Sequence, residues 1–420
     1  MLLLLLTGCS LFRPESELLA PPSVSEDEQA LRDAFHATCG SDVRYKSPIG
    51  GEYLSTFVME DLDADGEQEA MVFYTWDMFN DQICIALFEC RNQAWRYVDG
   101  IESDCDVVES IEISDLDGDG RNELVLLSQR ENEKRMSIYT FSAEPFGQQR
   151  LLQETPYSAL RLLDLDGDGN TEIFTVSCSA LTGPQVAMRR LTDSGIQQLD
   201  WRKIDKNVVS LAELFVRQDA NEAVFYLDAV KRDGTMITEV VCWDERSDTL
   251  SVPLLDAKTQ TTTQTARDKH IPCMDINADG VVEIPCRNEL RFSEIWRNGT
   301  ESDESFYQTD WCVFKDGVLI PVQKTLLEPD SGWMFTIPEL WEGRFTVCAY
   351  PADRKWNFYE TLAGGTTVYL GSVKFDVSDS TYTPLCTQGS HSLSVYGINQ
   401  SSALPVSEAL LKQAFTQIGQ

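Results

Sequence analysis

Histidine is almost missing from this chain. Only His36, His270 and His391 occur in 420 residues, and they lie far apart. No HExxH and no GxSxG string is present, so the usual zinc-protease and nucleophile-elbow signatures are excluded. His391 sits between Ser390 and Ser392, yet a serine beside a histidine in sequence does not make a catalytic triad. Basic residues are also scarce. There are 34 Lys and Arg against 68 Asp and Glu, a net charge of −34. Phosphate backbones need a basic surface, so nucleic acid is excluded as a partner, and anionic lipid headgroups are disfavoured. The 12 cysteines show no metal-type CxxC spacing. Without Cys9 an odd number remains, so full pairing within the chain is impossible. Most read as small buried hydrophobes, although Cys105, Cys178, Cys273 and Cys286 lie near acidic loops where an extracellular setting would permit bridges.

What the chain has in abundance is one acidic phrase, written four times. It reads Asp61-x-Asp63-x-Asp65-Gly66-Glu67-x-Glu69, then Asp115-x-Asp117-x-Asp119-Gly120-Arg121-x-Glu123. It recurs as Asp164-x-Asp166-x-Asp168-Gly169-Asn170-x-Glu172 and as Asp275-x-Asn277-x-Asp279-Gly280-Val281-x-Glu283. Oxygen side chains at positions 1, 3, 5 and 9 can converge on one hard cation, and glycine at position 6 allows the backbone to turn around it. By analogy with known calcium loops, the position-7 carbonyls of Glu67, Arg121, Asn170 and Val281 add a ligand. Carboxylates crowded this closely raise one another's pKa unless a cation is present. Up to four Ca²⁺ ions are therefore expected, since many hard oxygens favour calcium over magnesium.

The loops are not of the EF-hand or dockerin type, which close with an acid at position 12 and enter a helix. Position 12 is Val72, Leu126, Thr175 or Cys286, and the residues around it form short apolar runs that read as buried strands. The position-9 glutamates fall at 69, 123, 172 and 283, and Glu222 in Asp219-x-Asn221-Glu222 marks a degenerate copy between the last two. The steps are then 54, 49, 50 and 61 residues. Five repeats result, the fourth without a metal loop. Each holds material for four strands, as in Thr56–Glu60, Ala70–Thr75, Gln82–Glu89 and Ala94–Val98. A mostly β fold is expected, a β-propeller of about five blades, or up to seven if residues 41–54 contribute. An open solenoid of hairpins is the alternative.

These loops resemble those of FG-GAP and VCBS-type repeats, the propeller units of integrin α-chain ectodomains and of many bacterial surface proteins. The resemblance spans about residues 55–290 and implies a calcium-holding propeller. It departs at position 9, where integrin loops use Asp, and the Phe-Gly/Gly-Ala-Pro signature is not visible. It implies no particular ligand.

The chain opens on a leucine run ending Leu6-Thr-Gly-Cys9, which resembles a bacterial lipobox with Cys9 as the acylated residue. Residues 1–9 then form a lipoprotein signal segment, and 10–40 a tether ending in a short helix from Glu26, with Ser25 and Glu28 at capping-box spacing. The propeller occupies 41–323. Residues 330–420 are expected to form a small α/β domain whose last helix starts at Ser407 and stops at Gly419. Trp333, Trp341 and Trp356 are either core or the lining of a sugar- or peptide-binding face.

Three functions follow from this reading. The first is a lipid-anchored cell-surface module, held on the extracytoplasmic face through Cys9, that binds an extracellular protein or glycan without being an enzyme. The second is a secreted hydrolase with the propeller as scaffold. The third is a structural or sensory lipoprotein with no soluble ligand.

Overall fold

The computed structural model describes residues 25–418 apart from 77–81, 132, 144–145, 166, 193, 220–221, 268–270, 298–299, 303–305, 329–330 and 378. Cys9, Asp166 and His270 lie outside the described residues. The fold is mostly β, built from successive sheets that are antiparallel except where Glu294 and Ile295 pair in parallel with Cys348 and Ala349. Contacts divide the chain into two compact units, Met1–Ile173 with Arg189–Gln198 and Phe174–Met188 with Leu199–Gln420.

The first unit opens with the helix Glu26–Cys39. Ser25 caps it, its Oγ accepting the Glu28 amide at 3.1 Å. Leu31, Phe35 and Cys39 recur at a spacing of four and form its buried stripe. That stripe packs on Phe57, Val72, Tyr74 and Phe88 of the first sheet. The sheet's main strands are Phe57–Glu60, Glu69–Trp76, Cys84–Arg91 and Ala94–Glu102. A fifth strand, Val43–Tyr45, pairs with the end of Glu69–Trp76, so residues from 41–54 do contribute, but to the first sheet.

The second sheet runs Val107–Ser114, Glu123–Arg130, Glu133–Ala143 and Phe146–Pro156, and the third Ala159–Leu163, Glu172–Ser177, Gln185–Thr192 and Gly195–Lys203. Their second strands are almost wholly buried, as expected when both faces of a sheet are covered. Met71, Phe73, Ile85 and Leu87 of the first sheet meet Ile111, Leu124 and Leu126 of the second. On its other face the second presents Val125, Leu127 and Ile138 to Leu160 and Ile173 of the third. Consecutive sheets thus stack face to face.

In the second unit, the fourth sheet (Val208–Asp219, Glu222–Lys231, Met236–Asp244, Thr249–Ser251) lacks an acidic loop. Its first two strands pair up to Asp219 and Glu222, leaving only residues 220 and 221 between them. Phe225 stacks on Phe174 with ring centroids 3.7 Å apart. The residues around Thr262 and Arg267 are pinned by two buried ion pairs, the first through the Thr262 backbone. Lys231 Nζ meets Asp205 at 2.8 Å and Arg267 meets Asp228 at 2.7 Å. Glu239, beside the first pair, accepts the Asp205 amide and the Thr262 hydroxyl.

The fifth sheet joins Ile284–Glu289, Tyr307–Lys315 and Val318–Glu328 to Trp333–Thr336 and Phe415–Gln417. Strand pairing therefore runs across the boundary expected near residues 323–330. The remaining C-terminal strands form a seven-stranded sheet that also takes in Glu294–Arg297 and Thr300–Ser302. The last helix is Glu408–Ala414, capped as expected by Ser407 Oγ on the Leu410 amide. It stops five residues before the expected end, because Phe415–Gln417 pairs with Trp333–Phe335 instead and buries Phe415 among Trp333, Phe335 and Trp356. Trp333, Trp341 and Trp356 are core residues, 0%, 0% and 4% exposed, and cannot line a binding face.

Two stability measurements check this packing. Phe335→Ala empties the centre of the aromatic cluster and should cost about 3–5 kcal/mol, seen as a lower denaturant midpoint at an unchanged slope. Burial first, then neighbouring Asp205, pushes the Glu239 carboxyl up to about 7. Its folded form keeps a proton that the unfolded chain releases near 4.5. Stability should therefore fall as pH rises from there to about 7 and level off above it. Glu239→Gln should remove that component from the difference between the two pH profiles.

Candidate functional site

Each acidic phrase joins the first strand of a sheet to its second, or stands just before a sheet. The fourth copy leads into Ile284–Glu289, where Met274 and Glu283 form an isolated bridge. All four loops close the same way. The buried position-9 glutamate accepts the amide of position 2, at 2.9 Å for Leu62–Glu69 and 3.0 Å for Leu116–Glu123, Leu165–Glu172 and Ile276–Glu283. The position-1 aspartate accepts the amide of the position-6 glycine at 3.0, 2.9, 3.2 and 2.8 Å. The amides of Glu67, Arg121, Asn170 and Val281 each donate to the position-5 aspartate. Glycine at position 6 has φ between 86° and 90° in every copy, a conformation that strains any other residue.

The loops also dock on one another. Asn122 of the second donates its amide to Leu62 O at 2.9 Å and its side chain to Asp61 O at 3.0 Å. Thr171 of the third repeats this on Leu116 O and Asp115 O. At position 4, a Cβ on Gly118 would come within 3.2 Å of Asn170 Oδ1. Ala64 and Ala278 hold that place in the first and last loops at φ 60°.

Carboxylates converge in two of the loops. Asp61, Asp63 and Glu69 offer oxygens within 4.8 Å of one another, and so do Asp115, Asp117 and Glu123. Burial above all, with help from the loop aspartates, pushes Glu69 and Glu123 up to about 7, against the pull of the Leu62 and Leu116 amides. Asp63 and Asp117 are raised by burial and by Asp65 and Asp119. Asp61 Oδ1 is buried with no hydrogen-bond partner among the described residues. Such a set suits a hard divalent cation.

The other positions are occupied differently. Arg121 pairs through its side chain with Asp119 and holds that carboxyl low. Arg190 Nε reaches Glu172 Oε1 at 2.7 Å, so the third loop already has a cation against position 9. The corresponding oxygen of Glu123 accepts the Thr140 hydroxyl at 3.2 Å. In the last loop, Asn277 Nδ2 donates to Asp279 at 2.9 Å. Sequence reading missed Arg190 because it stands 18 residues from Glu172 and only strand pairing brings it back.

Elsewhere, His36 is tied to Tyr45 Oη at 2.9 Å and Gly40 O at 3.1 Å. His391 Nδ1 lies 2.9 Å from Asp376, which Ser392 reaches through its backbone amide rather than its hydroxyl. A cleft of about 660 Å³ lined by Arg217, Glu222, Cys242 and Lys315 carries charges of both signs. Burial and Glu222 push its cysteine up to about 12, so the thiol is a poor nucleophile. Among the described residues the eleven cysteines form no disulfide. Among the described residues no helix is long and apolar enough to cross a membrane.

No family model and no curated protein matches the chain. Among solved structures it is similar to a hypothetical selenium-binding protein from Sulfolobus tokodaii, at 9% identity and TM-score 0.28, over 49% of this chain and 55% of that one. The chain thus spans about half the length of that protein. It is also similar to a putative 6-phosphogluconolactonase from Bacteroides fragilis (10% identity, TM-score 0.29, 78% and 92% covered). A third is the subtype N11 neuraminidase-like protein of A/flat-faced bat/Peru/033/2010 (11% identity, TM-score 0.28, 86% and 92% covered). Overlays this loose carry no argument.

Gly118→Ala tests the loop docking. It meets a left-handed φ and a crowded neighbour together, and should destabilise by about 1–2 kcal/mol. Ala64→Gly, which relieves the same φ, should raise the melting temperature.

Proposed function

We propose that this chain is a calcium-stabilised β-propeller of about five blades. In this reading it is anchored to the extracytoplasmic face of a membrane through acylated Cys9 and is a non-enzymatic module that binds an extracellular protein or glycan. The observation that carries the metal part is the gathering of Asp61, Asp63 and Glu69, and of Asp115, Asp117 and Glu123, with carboxylate oxygens within 4.8 Å of one another. The face-to-face stacking of four-stranded sheets supports the propeller.

Asp61, Asp63, Asp65 and Glu69 would hold one ion, and Asp115, Asp117, Asp119 and Glu123 another. A bound calcium supplies positive charge that offsets the mutual repulsion of these carboxylates. The residues around it do the mechanical work. The position-9 glutamate fixes the strand-to-strand corner through the position-2 amide, and the Asn122 and Thr171 contacts pass that order to the next loop. The third loop, with Arg190 on Glu172, and the last, with Asn277 at position 3, are the weaker sites in this scheme.

Differential scanning calorimetry with calcium and with chelator tests the reading. Free ion at a hundred times its dissociation constant should stabilise the fold by about 2.7 kcal/mol per site. Glu123→Gln should lose the share of the second loop, whereas Glu172→Gln should lose less. An unfolding temperature that ignores both calcium and chelator would overturn the proposal.

A further inference from the structure

The seven-stranded C-terminal sheet has two unlike faces. Val347 and Ala349, Trp356 and Phe358, Val373 and Phe375, and Leu393 and Val395 all point into the aromatic core. The alternate residues make the opposite face. Register places Cys348, Asn357, Ser372 and Tyr396 in one row across four strands, and Tyr350, Lys355, Lys374 and Ser394 in the next. An irregularity after Phe358 then sets Tyr359 opposite Tyr369.

This face is built around a polar hub. Ser372, 5% exposed, donates to Asn357 Oδ1 at 2.6 Å and shares a hydrogen bond with Tyr369 Oη at 2.7 Å. Asn357 also lies near the phenols of Tyr350 and Tyr359, and Ser372 near that of Tyr382. A Cβ on Gly397 would lie 3.1 Å from Tyr369 Oη, so that glycine leaves room for the ring. Tyr382 and Tyr396 lie 5.4 Å apart, and Tyr396 is 54% exposed. The hub therefore holds a set of partly exposed phenol rings, with Tyr396 the most open of them.

Such a face suits one kind of ligand. A pyranose presents flat C–H faces between rings of hydroxyls, and phenol rings interleaved with amide and hydroxyl groups match both. With strands about 4.8 Å apart, a four-residue row spans roughly 14 Å, about the length of a trisaccharide. The charges favour a neutral sugar. Lys374 is held by Asp379 at 2.7 Å and lies over Tyr382, while Lys355 lies over Tyr350 and meets Asp353 at 3.9 Å. Glu294 flanks the row beside Cys348, and a chain of net charge −34 repels polyanions.

We propose that the tyrosine-bearing face of this sheet, organised by Asn357 and Ser372, binds a neutral glycan. This deepens the binding-module reading above by naming the partner class and its surface, and it does not depend on the calcium loops.

Affinity electrophoresis of the full chain, with calcium present, in gels holding laminarin, hydroxyethylcellulose or galactomannan provides the test, with pectate as the anionic control. Retardation in at least one neutral gel is expected. Tyr396→Ala and Tyr382→Ala should each weaken it about tenfold, the effect of losing one anchoring ring, whereas Tyr396→Phe should retain it. Near-ultraviolet circular dichroism checks that each variant is folded. No retardation in any neutral gel, retardation in pectate alone, or an unchanged Tyr396→Ala variant overturns the proposal. So does light scattering that shows a dimer abolished by Tyr396→Ala, since the face then belongs to a second copy. Calorimetry that registers calcium without sugar binding would sink this inference and leave the metal reading standing, and the converse separates them equally well.

Discussion

A buried glutamate that must accept a backbone amide is the constraint on which the repeated part of this molecule turns. Glu69, Glu123, Glu172 and Glu283 are each at most 2% exposed, in positions where an unpaired carboxylate would be costly. Each is placed by the strand that it begins or immediately precedes, and each ties the incoming loop back to that strand through position 2. The corner is thereby fixed from inside, while the aspartates line the more exposed turn of the loop and, in the first two copies, converge on the glutamate. Because Asn122 and Thr171 reach back to the preceding loop, the first three corners form a continuous hydrogen-bonded line. Sheet stacking and loop order reinforce each other there, through apolar contacts on one side and directional polar ones on the other.

Much of this was legible in the sequence for a plain reason. Alternating aspartates, a glycine at a fixed place and an apolar run after it are local signals, and the strands of the first repeat fall within a few residues of where those signals put them. The missing loop of the fourth repeat was legible too, from Glu222. What stayed hidden depends on residues distant in the chain. Arg190 against Glu172 is set by the pairing of Glu172–Ser177 with Gln185–Thr192. The ion pairs of Asp205 with Lys231 and Asp228 with Arg267 bridge 26 and 39 residues, and nothing in their local spacing announces them.

The C-terminal part shows the same limit more sharply. Helical periodicity from Ser407 onward is real and the cap is where it was expected, yet the helix yields to a strand at Phe415. The burial of one aromatic ring and three residues of pairing outweigh the propensity of the last turn. Tryptophans at 333, 341 and 356 read equally well as core or as a ligand face. Sheet parity turned Trp333 and Trp356 inward and left tyrosines outside, and Trp341 is buried from the short 3-10 turn Glu339–Trp341. Amphipathic rings with a hydroxyl tolerate that partly wet position, because the phenol can always find a partner.

The pairing of Phe415–Gln417 with Trp333–Thr336 also orders events in time. About eighty residues, including most of the seven-stranded sheet, must be synthesised before the fifth sheet can receive its edge strand. Until then the hydrogen-bonding edge of Trp333–Thr336 is open, and Trp333 and Phe335 lack the ring that seals them. A nascent chain of this design would hold the fifth sheet in an unfinished state until late in synthesis, so the last three paired residues act as the closing step of that sheet.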